Sequence, residues 1–407
     1  MVNRTRLLGV ARACEFLARG IVAAGALSGC TYGFVIDDNG DTVGGATVKF
    51  DTLKTSESYK GATTFGTASE SVKTWNKDDP NSGGHNGLYY LNPNAHKATG
   101  DNTALNVPAG WQRVTVSKSG YDSAIFYRDH QYSQSCDIYS SLPYADAKYP
   151  VTSATSVSSG GKTPCSLENF TLSSSSTNYE KLPDMLADPR SLTDTQIATG
   201  SDCKYKDDNA VERQFTKCLR VSVGTPNVGA GDLHLLGELD SGGHAVNVRQ
   251  RIYKRNSGYS EKSIPANFTF EDAAGHHHFH FKNWTKLRLR KYDASCPTQG
   301  WTNCPELKTG RKVSFCIEDI YTFESSIATG KKYACDTTTG AGGTTQISQG
   351  ISVGMQDVYG KSVYGQVVDI AGLASGKYWL EVEVNPEHFM TERDYSNNLA
   401  RVTVTIP

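Results

Sequence analysis

The chain carries almost no surplus charge: 41 Lys and Arg stand against 42 Asp and Glu, for a formal net charge of -1. Binding nucleic acid or an anionic membrane through the overall field needs a basic excess, so neither is an expected partner. Methionine is scarce, with 4 residues, and helical signals are sparse beyond the N-terminus. The 39 glycines, together with abundant Ser and Thr, point instead to a β-rich protein with long loops. The short apolar stretch Ile21-Val22-Ala23-Ala24-Gly25-Ala26 is too short to span a bilayer. There is no Cys-x-x-Cys pair, which weakens any thiolate metal site of that kind. At 407 residues the chain has room for two or three domains.

The N-terminus has its own character. Arg4, Arg6, Arg12 and Arg19 outnumber the single acid Glu15, and the apolar stretch runs into Leu27-Ser28-Gly29-Cys30. This resembles a bacterial lipoprotein signal, residues 1–30, in which Cys30 would be lipidated and become the mature N-terminus. The expectation is an exported protein of the cell envelope or surface, touching a membrane only through the anchor at Cys30. Beyond Cys14 and Cys30, eight cysteines remain: Cys136, Cys165, Cys203, Cys218, Cys296, Cys304, Cys316 and Cys335. An even number in an exported chain predicts disulfides. Four short-range pairs are the simplest arrangement, and spacing leaves the connectivity open.

Residues 31–135 read as a small β-domain. Gly33 to Ile36 is a strand entering a turn with Asn39-Gly40 at its tip, and Gly45 to Phe50 is a second alternating strand. Gly87 to Leu91 and Val114 to Tyr121 continue the pattern. The order resembles a carboxypeptidase regulatory-like, transthyretin-like β-sandwich, which would serve as a spacer. Residues 136–181, rich in Ser, Thr and Gly, read as a linker. A second domain is expected from Leu182 to Pro407. The fold class predicted is all-β: a small N-terminal β-sandwich, a Ser/Thr-rich linker and a larger β-sandwich.

The densest chemical signal is His276-His277-His278-Phe279-His280, which holds four of the ten histidines. Apolar residues alternate around it, at Phe268 and Phe270 before and Phe281, Trp284, Leu287 and Leu289 after, so the run reads as a strand. His276, His278 and His280 then share one face, with His277 and Phe279 on the other. Three imidazoles on one face repel when protonated and bury badly when neutral, and a transition metal removes both problems. Zinc and copper both suit three neutral imidazoles, copper through its intrinsic affinity.

Two further segments stand out downstream. Gly310-Arg311-Lys312-Val313-Ser314-Phe315-Cys316-Ile317-Glu318-Asp319 is a strand-like run ending in two acids, and Gln356-Asp357-Val358-Tyr359-Gly360 follows. With the histidines, these resemble the lysyl oxidase family of copper amine oxidases. So do Cys218 to Gly229, Gly376 to Leu380, Val384-Asn385-Pro386 and Asp394-Tyr395-Ser396-Asn397-Asn398. The likeness covers residues 182–407 and is densest from His276 onward.

The resemblance implies copper on His276, His278 and His280, and a lysine tyrosylquinone made from Lys312 and Tyr359. It implies oxidative deamination of primary amines, with peptidyl lysine among the candidate substrates, to aldehydes, with O2 consumed and ammonia and hydrogen peroxide released. Lys312 must be neutral, at least transiently, to add to the ring, and burial favours that. A base must remove the substrate's α-proton. Asp357, two residues before Tyr359 and on its strand face, is the first candidate, with Asp319 and Asp394 as others. Read singly, each acid fits a turn or cap, Lys312 a surface strand and Tyr359 a sheet position. His277 and His388 read as supporting residues. The chain departs from animal lysyl oxidases in lacking their Trp-x-Trp-His and Cys before the histidines, where Phe270 to Gly275 stand instead. A second Cys after the Phe-Cys-x-Glu-Asp segment is also missing. That departure implies a bond between Cys316 and Cys335. The rival readings are a non-catalytic copper- or zinc-binding envelope protein and a zinc hydrolase using the same histidines.

Overall fold

Strands form wherever side chains alternate between buried and partly exposed. Along Gly110–Ser117, Trp111, Val114 and Val116 are buried while Arg113 and Thr115 are not, the period-2 signature of a sheet with one covered face. A computed structural model describes residues 31–74, 88–91, 110–130, 166–206, 211–271, 277–299, 301–312, 314–335, 337–339 and 345–407. The signal-type segment with Cys30, and also Cys136, Cys165 and His276, lie outside the described residues. The fold is all-β, as the composition predicts, and no helix among the described residues exceeds the four residues of Cys296–Gln299 and Gly200–Cys203.

The chain divides into two compact units. The first comprises residues 1–52, 66–177 and 293–303. Its four-stranded sheet takes the order Phe65–Lys73, Thr47–Leu53, Gly110–Ser117, Ala124–His130. Thr31–Asp37 pairs antiparallel with Leu88–Leu91 and parallel with Ser166–Leu167 and Phe170–Leu172. Val35, Val48, Phe50, Val114, Phe126 and Phe170 are among the buried residues of its core. Where it is described, the stretch expected to be a linker is therefore partly strand. Phe170 and Leu172 are apolar enough to be buried in this core, and the Ser-rich turn after them is tied back by Asp122 N–H donating to Ser173 O.

The second unit comprises residues 53–65, 178–292 and 304–407. Its largest sheet, wholly antiparallel, runs Tyr259–Ser263, Ala245–Tyr253, Leu233–Leu239, Thr345–Ile351, Thr337–Thr339. A four-stranded sheet runs Glu306–Thr309, Thr285–Lys291, Gly376–Val384, Leu399–Ile406. A smaller one centres Met355–Tyr359 between Val223–Pro226 and Tyr321–Thr322. Trp284, Phe268, Phe281 and Phe315 are fully buried, and the Trp284 indole N–H donates to Thr225 Oγ1 at 3.2 Å.

Residues 53–65, read from sequence as part of the N-terminal domain, cluster with the second unit. Tyr59 donates to Asp194 Oδ2 at 2.9 Å and also meets Ser222 Oγ at 3.2 Å. Arg190, buried with its partner Asp188 at 2.8 Å, donates to the Gly61 carbonyl at 3.1 Å. Gln356 Nε2 donates to the Tyr59 carbonyl at 2.5 Å. The segment thus supplies acceptors to buried donors that the sequence alone leaves unassigned.

The predicted bond between Cys316 and Cys335 is present, with Cα atoms 5.7 Å apart, and Cys203 bonds to Cys218. Both are short-range pairs of the kind an exported chain predicts.

In the four-stranded sheet, Glu381 is buried beneath three arginines: Arg288 at 2.5 Å, Arg290 at 2.9 Å and Arg401 at 2.7 Å. Burial pushes its carboxyl up, but the hydrogen bond from Arg290 and the charges of Arg401, Arg290 and Arg288 outweigh it and bring it down to about 2. A carboxyl held below its ordinary value stabilises the fold above that value and loses the contribution as pH falls toward the folded one. The expected loss between pH 4.5 and about 2 is roughly 3 kcal/mol at most. Urea unfolding across that range should show it, and Glu381→Gln should flatten this part of the pH dependence.

Candidate functional site

The histidine strand is His278–Phe281, paired antiparallel with Phe268–Glu271 so that Thr269 faces His280, Phe270 faces Phe279 and Glu271 faces His278. His278 and His280 share a face, as the alternation predicts. Their Nε2 atoms lie 3.0 Å apart. On the other face Phe279 packs edge-on against Phe270, with ring centroids 5.3 Å apart. Two imidazole nitrogens at this separation fit neighbouring positions around one ion about 2.0–2.1 Å from each. His278 is also kept in its neutral, ligating form: burial lowers its pKa, and the charge of Lys312 adds to the effect.

The segment Gly310 to Asp319 is not the strand that its pattern suggests. It is an extended loop with isolated bridges of Gly310 to Val368 and Phe315 to Phe281. The reason lies in who takes its backbone groups. Phe281 N–H donates to Phe315 O at 2.7 Å and Phe315 N–H returns a bond to Phe281 O at 3.2 Å. Gln349 Oε1 accepts from Ile317 N–H at 3.0 Å. The hydroxyl of Tyr359 accepts from Cys316 N–H at 2.7 Å and donates to Cys316 O at 2.9 Å. Side chains have replaced a neighbouring strand.

These bonds place Lys312 over Tyr359. Lys312 Nζ stands 5.2 Å from the Tyr359 ring centroid and 5.4 Å from that of Phe315, whose ring meets Tyr359 edge-on at 4.3 Å. Burial lowers the Lys312 pKa to about 8, against the opposing charges of Glu271 and Asp357. Burial pushes the Tyr359 phenol well above its ordinary value, with the charge of Asp357 acting in the same direction.

Asp357 and Tyr359 lie two apart on Met355–Tyr359. Asp357 is buried, and no side chain among the described residues donates a hydrogen bond to its carboxylate, which has only the adjacent Val358 N–H to lower its pKa. Burial raises its pKa well above the ordinary carboxylate value, and the charge of Glu318 raises it further. A buried carboxylate without side-chain hydrogen bonds costs stability and is a mark of function. The other two acids have structural work. Asp319 accepts from Lys332 N–H at 2.8 Å, Ser352 N–H at 2.8 Å and Ser352 Oγ at 2.6 Å. Asp394 caps its own turn by accepting from Ser396 N–H at 2.8 Å.

Gln349 is a residue that motif reading missed. It is buried, holds Ile317 through its oxygen, and donates from Nε2 to the Phe279 carbonyl at 2.5 Å, so it links the histidine strand to the lysine loop. Its signal was a glutamine alternating with Ile347 and Ile351 on an apolar strand face. The Cys316–Cys335 bond lies beside His278, with ligand-capable atoms of the three residues within 4.8 Å of one another. Bonded sulfurs are not thiolates, so in this state they do not compete for the ion that the histidines fit.

Comparison with known proteins accords with this geometry. Residues 263–406 match the family model described as lysyl oxidase. Human lysyl oxidase homolog 1 is 26% identical over 227 residues, 56% of this chain and 34% of that protein. Human protein-lysine 6-oxidase is 29% identical over 164 residues, 40% of this chain and 34% of that one. The Gallus gallus protein-lysine 6-oxidase is 36% identical over 95 residues, covering 23% of this chain and 20% of it. The chain therefore spans about a third or less of the length of these relatives. The matched region, residues 263–406, contains the histidine strand, the lysine loop and the tyrosine strand, and it carries the chain's similarity to the lysyl oxidase family.

Proposed function

We propose that this protein is a copper- and quinone-dependent amine oxidase, acting on primary amines that include lysine side chains of exposed proteins. The observation that carries the reading is the placement of Lys312 Nζ 5.2 Å from the Tyr359 ring centroid. Nothing in the sequence spacing of these two residues requires them to meet. The family implies copper on His276, His278 and His280 and a lysine tyrosylquinone from Lys312 and Tyr359. The described donors fit: two imidazoles share a face, and a lysine with a lowered pKa lies beside the phenol. Copper with O2 supplies the oxidising equivalents for the ring, and the resulting quinone supplies the electrophile for an amine. We further assign the chain to an exported, lipid-anchored location through Cys30, a reading that the disulfides support.

Each residue's part follows from its surroundings. Lys312 needs a free lone pair, and its lowered pKa provides one near neutral pH. The hydroxyl of Tyr359 is fixed by Cys316, which leaves the ring one orientation for the lysine to meet. Asp357 holds no side-chain hydrogen bond that a proton would break, and burial raises its proton affinity. Both properties suit a general base that takes the substrate's α-proton. Glu271 sets negative charge beside Lys312, which favours approach of a cationic amine.

Peptide mass spectrometry on protein expressed with copper and air should find a Lys312–Tyr359 cross-linked peptide that reacts with phenylhydrazine. Tyr359→Phe should keep copper and lose both the cross-link and amine-dependent peroxide. Unmodified Lys312 and Tyr359 in copper-loaded, aerated protein would instead leave a metal-binding protein on an oxidase scaffold. The rate of quinone absorbance after copper addition to apoprotein should rise about tenfold per pH unit below the Lys312 value and level off above it, with the bend near about 8. Asp357→Asn should lower kcat by about 10²–10⁴-fold while the cross-link still forms, as steady-state peroxide release would show.

A further inference from the structure

The Cys316–Cys335 bond is placed where opening it would change the metal chemistry. Cys316 is fully buried on the lysine loop, and Cys335 is half-buried on the wall of a cavity of about 280 Å³ that is also lined by Phe270, His277, His278, Phe279 and Gln349. A small dithiol entering this cavity reaches the bond. The two sulfurs and a ring nitrogen of His278 lie within 4.8 Å of one another.

Both sulfur-bearing segments are held by bonds that do not depend on the disulfide. Cys316 is clamped at its N–H and carbonyl by Tyr359, and its neighbours are tied to Phe281 and Gln349. The segment entering Cys335 is fixed by Asp319, whose Oδ2 accepts from Lys332 N–H at 2.8 Å and Tyr333 N–H at 3.1 Å, and whose own N–H donates to Tyr333 O at 3.1 Å. When the bond opens, the two thiols therefore stay facing each other across a Cα separation of 5.7 Å. Two thiolates about 2.3 Å from one tetrahedral ion stand roughly 3.8 Å apart, which side-chain rotation at that separation can provide.

We propose that reduction of Cys316–Cys335 creates a His278–Cys316–Cys335 site for a thiophilic ion, Cu(I) or Zn(II), and that the closed bond keeps these sulfurs away from the ion held by the histidines. The reduced site itself does not depend on the oxidase reading, whereas its competition with copper on the histidines rests on that reading. A thiolate of the dithiol attacks one sulfur, the S–S bond breaks, and the dithiol's second thiolate releases the mixed disulfide. The dithiol leaves as its cyclic disulfide, and two electrons and two protons pass to Cys316 and Cys335. Ion binding then displaces the two thiol protons to solvent. Thiolate and imidazole donors together select Cu(I) or Zn(II) over hard cations. Because His278 also faces His280, the reduced site draws on an imidazole that the oxidase reading assigns to copper.

The test uses the full chain, reduced anaerobically with a dithiol, freed of reductant and alkylated with iodoacetamide with and without Zn2+. Peptide mass spectrometry then reads each cysteine separately. Zn2+ should slow alkylation of both Cys316 and Cys335 at least tenfold and leave Cys203 and Cys218 unaffected, and His278→Gln should remove most of that protection. With Co2+ as the probe, the reduced protein should gain a sulfur-to-metal charge-transfer band that the oxidised protein lacks. Equal alkylation with and without Zn2+, protection confined to other cysteines, or protection unchanged in His278→Gln would overturn the assignment. Loss of the fold on reduction would do so too, since the site depends on segments held by hydrogen bonds alone.

Discussion

The hydroxyl of Tyr359 takes up both main-chain polar groups of Cys316, accepting from the N–H at 2.7 Å and donating to the carbonyl at 2.9 Å. Other features of the site depend on this pair of bonds. A buried phenol must find partners, and a loop without a neighbouring strand must satisfy its own backbone. Each supplies the other's need. The clamp fixes the tyrosine ring and brings the lysine loop across it, so that Lys312 lies over the ring. With Phe315 bonded to the end of the histidine strand, the same loop ties His278 and His280 to Lys312 and Tyr359 in one assembly.

Burial then acts in opposite directions on the two kinds of titratable group. It lowers Lys312 and raises Asp357, each toward its neutral form. The chamber thus holds an amine that gives up its proton easily and a carboxylate that accepts one readily. Elsewhere in the same unit, buried acids are answered by cations or amides: Asp188 by Arg190, Glu381 by three arginines, and Glu392 by the amides of Asn385 and Asn398. No cation or amide side chain among the described residues donates to Asp357. That contrast is the reason for proposing Asp357, and not the paired acids, as the base.

Support for the site comes from segments with no catalytic motif. Gln349 spans from the histidine strand to the lysine loop. Gln356, beside Asp357, donates to the carbonyl of Tyr59, some three hundred residues earlier in the chain. The excursion 53–65 caps buried polar groups around Arg190 and Asp194 and so belongs energetically to the second unit. A bond that leaves no polar group orphaned is worth more here than sequence proximity.

Local periodicity determined the all-β class, the shared face of His278 and His280, and the shared face of Asp357 and Tyr359, because a strand's side-chain direction follows from its backbone alone. Motif order singled out Lys312 and Tyr359, and the cysteines missing relative to animal lysyl oxidases implied the bond between Cys316 and Cys335 that the structure contains. The tertiary structure decided what depends on partners distant in the chain. It made Gly310 to Asp319 a loop, since a tyrosine and a glutamine claimed backbone groups that an alternating pattern assigns to a strand. It separated Asp357 from Asp319 and Asp394, which are alike as acids in sequence and differ only in which donors surround them. It also moved residues 53–65 and 166–172 out of the segments to which composition assigns them, because pairing and burial are non-local and composition is not.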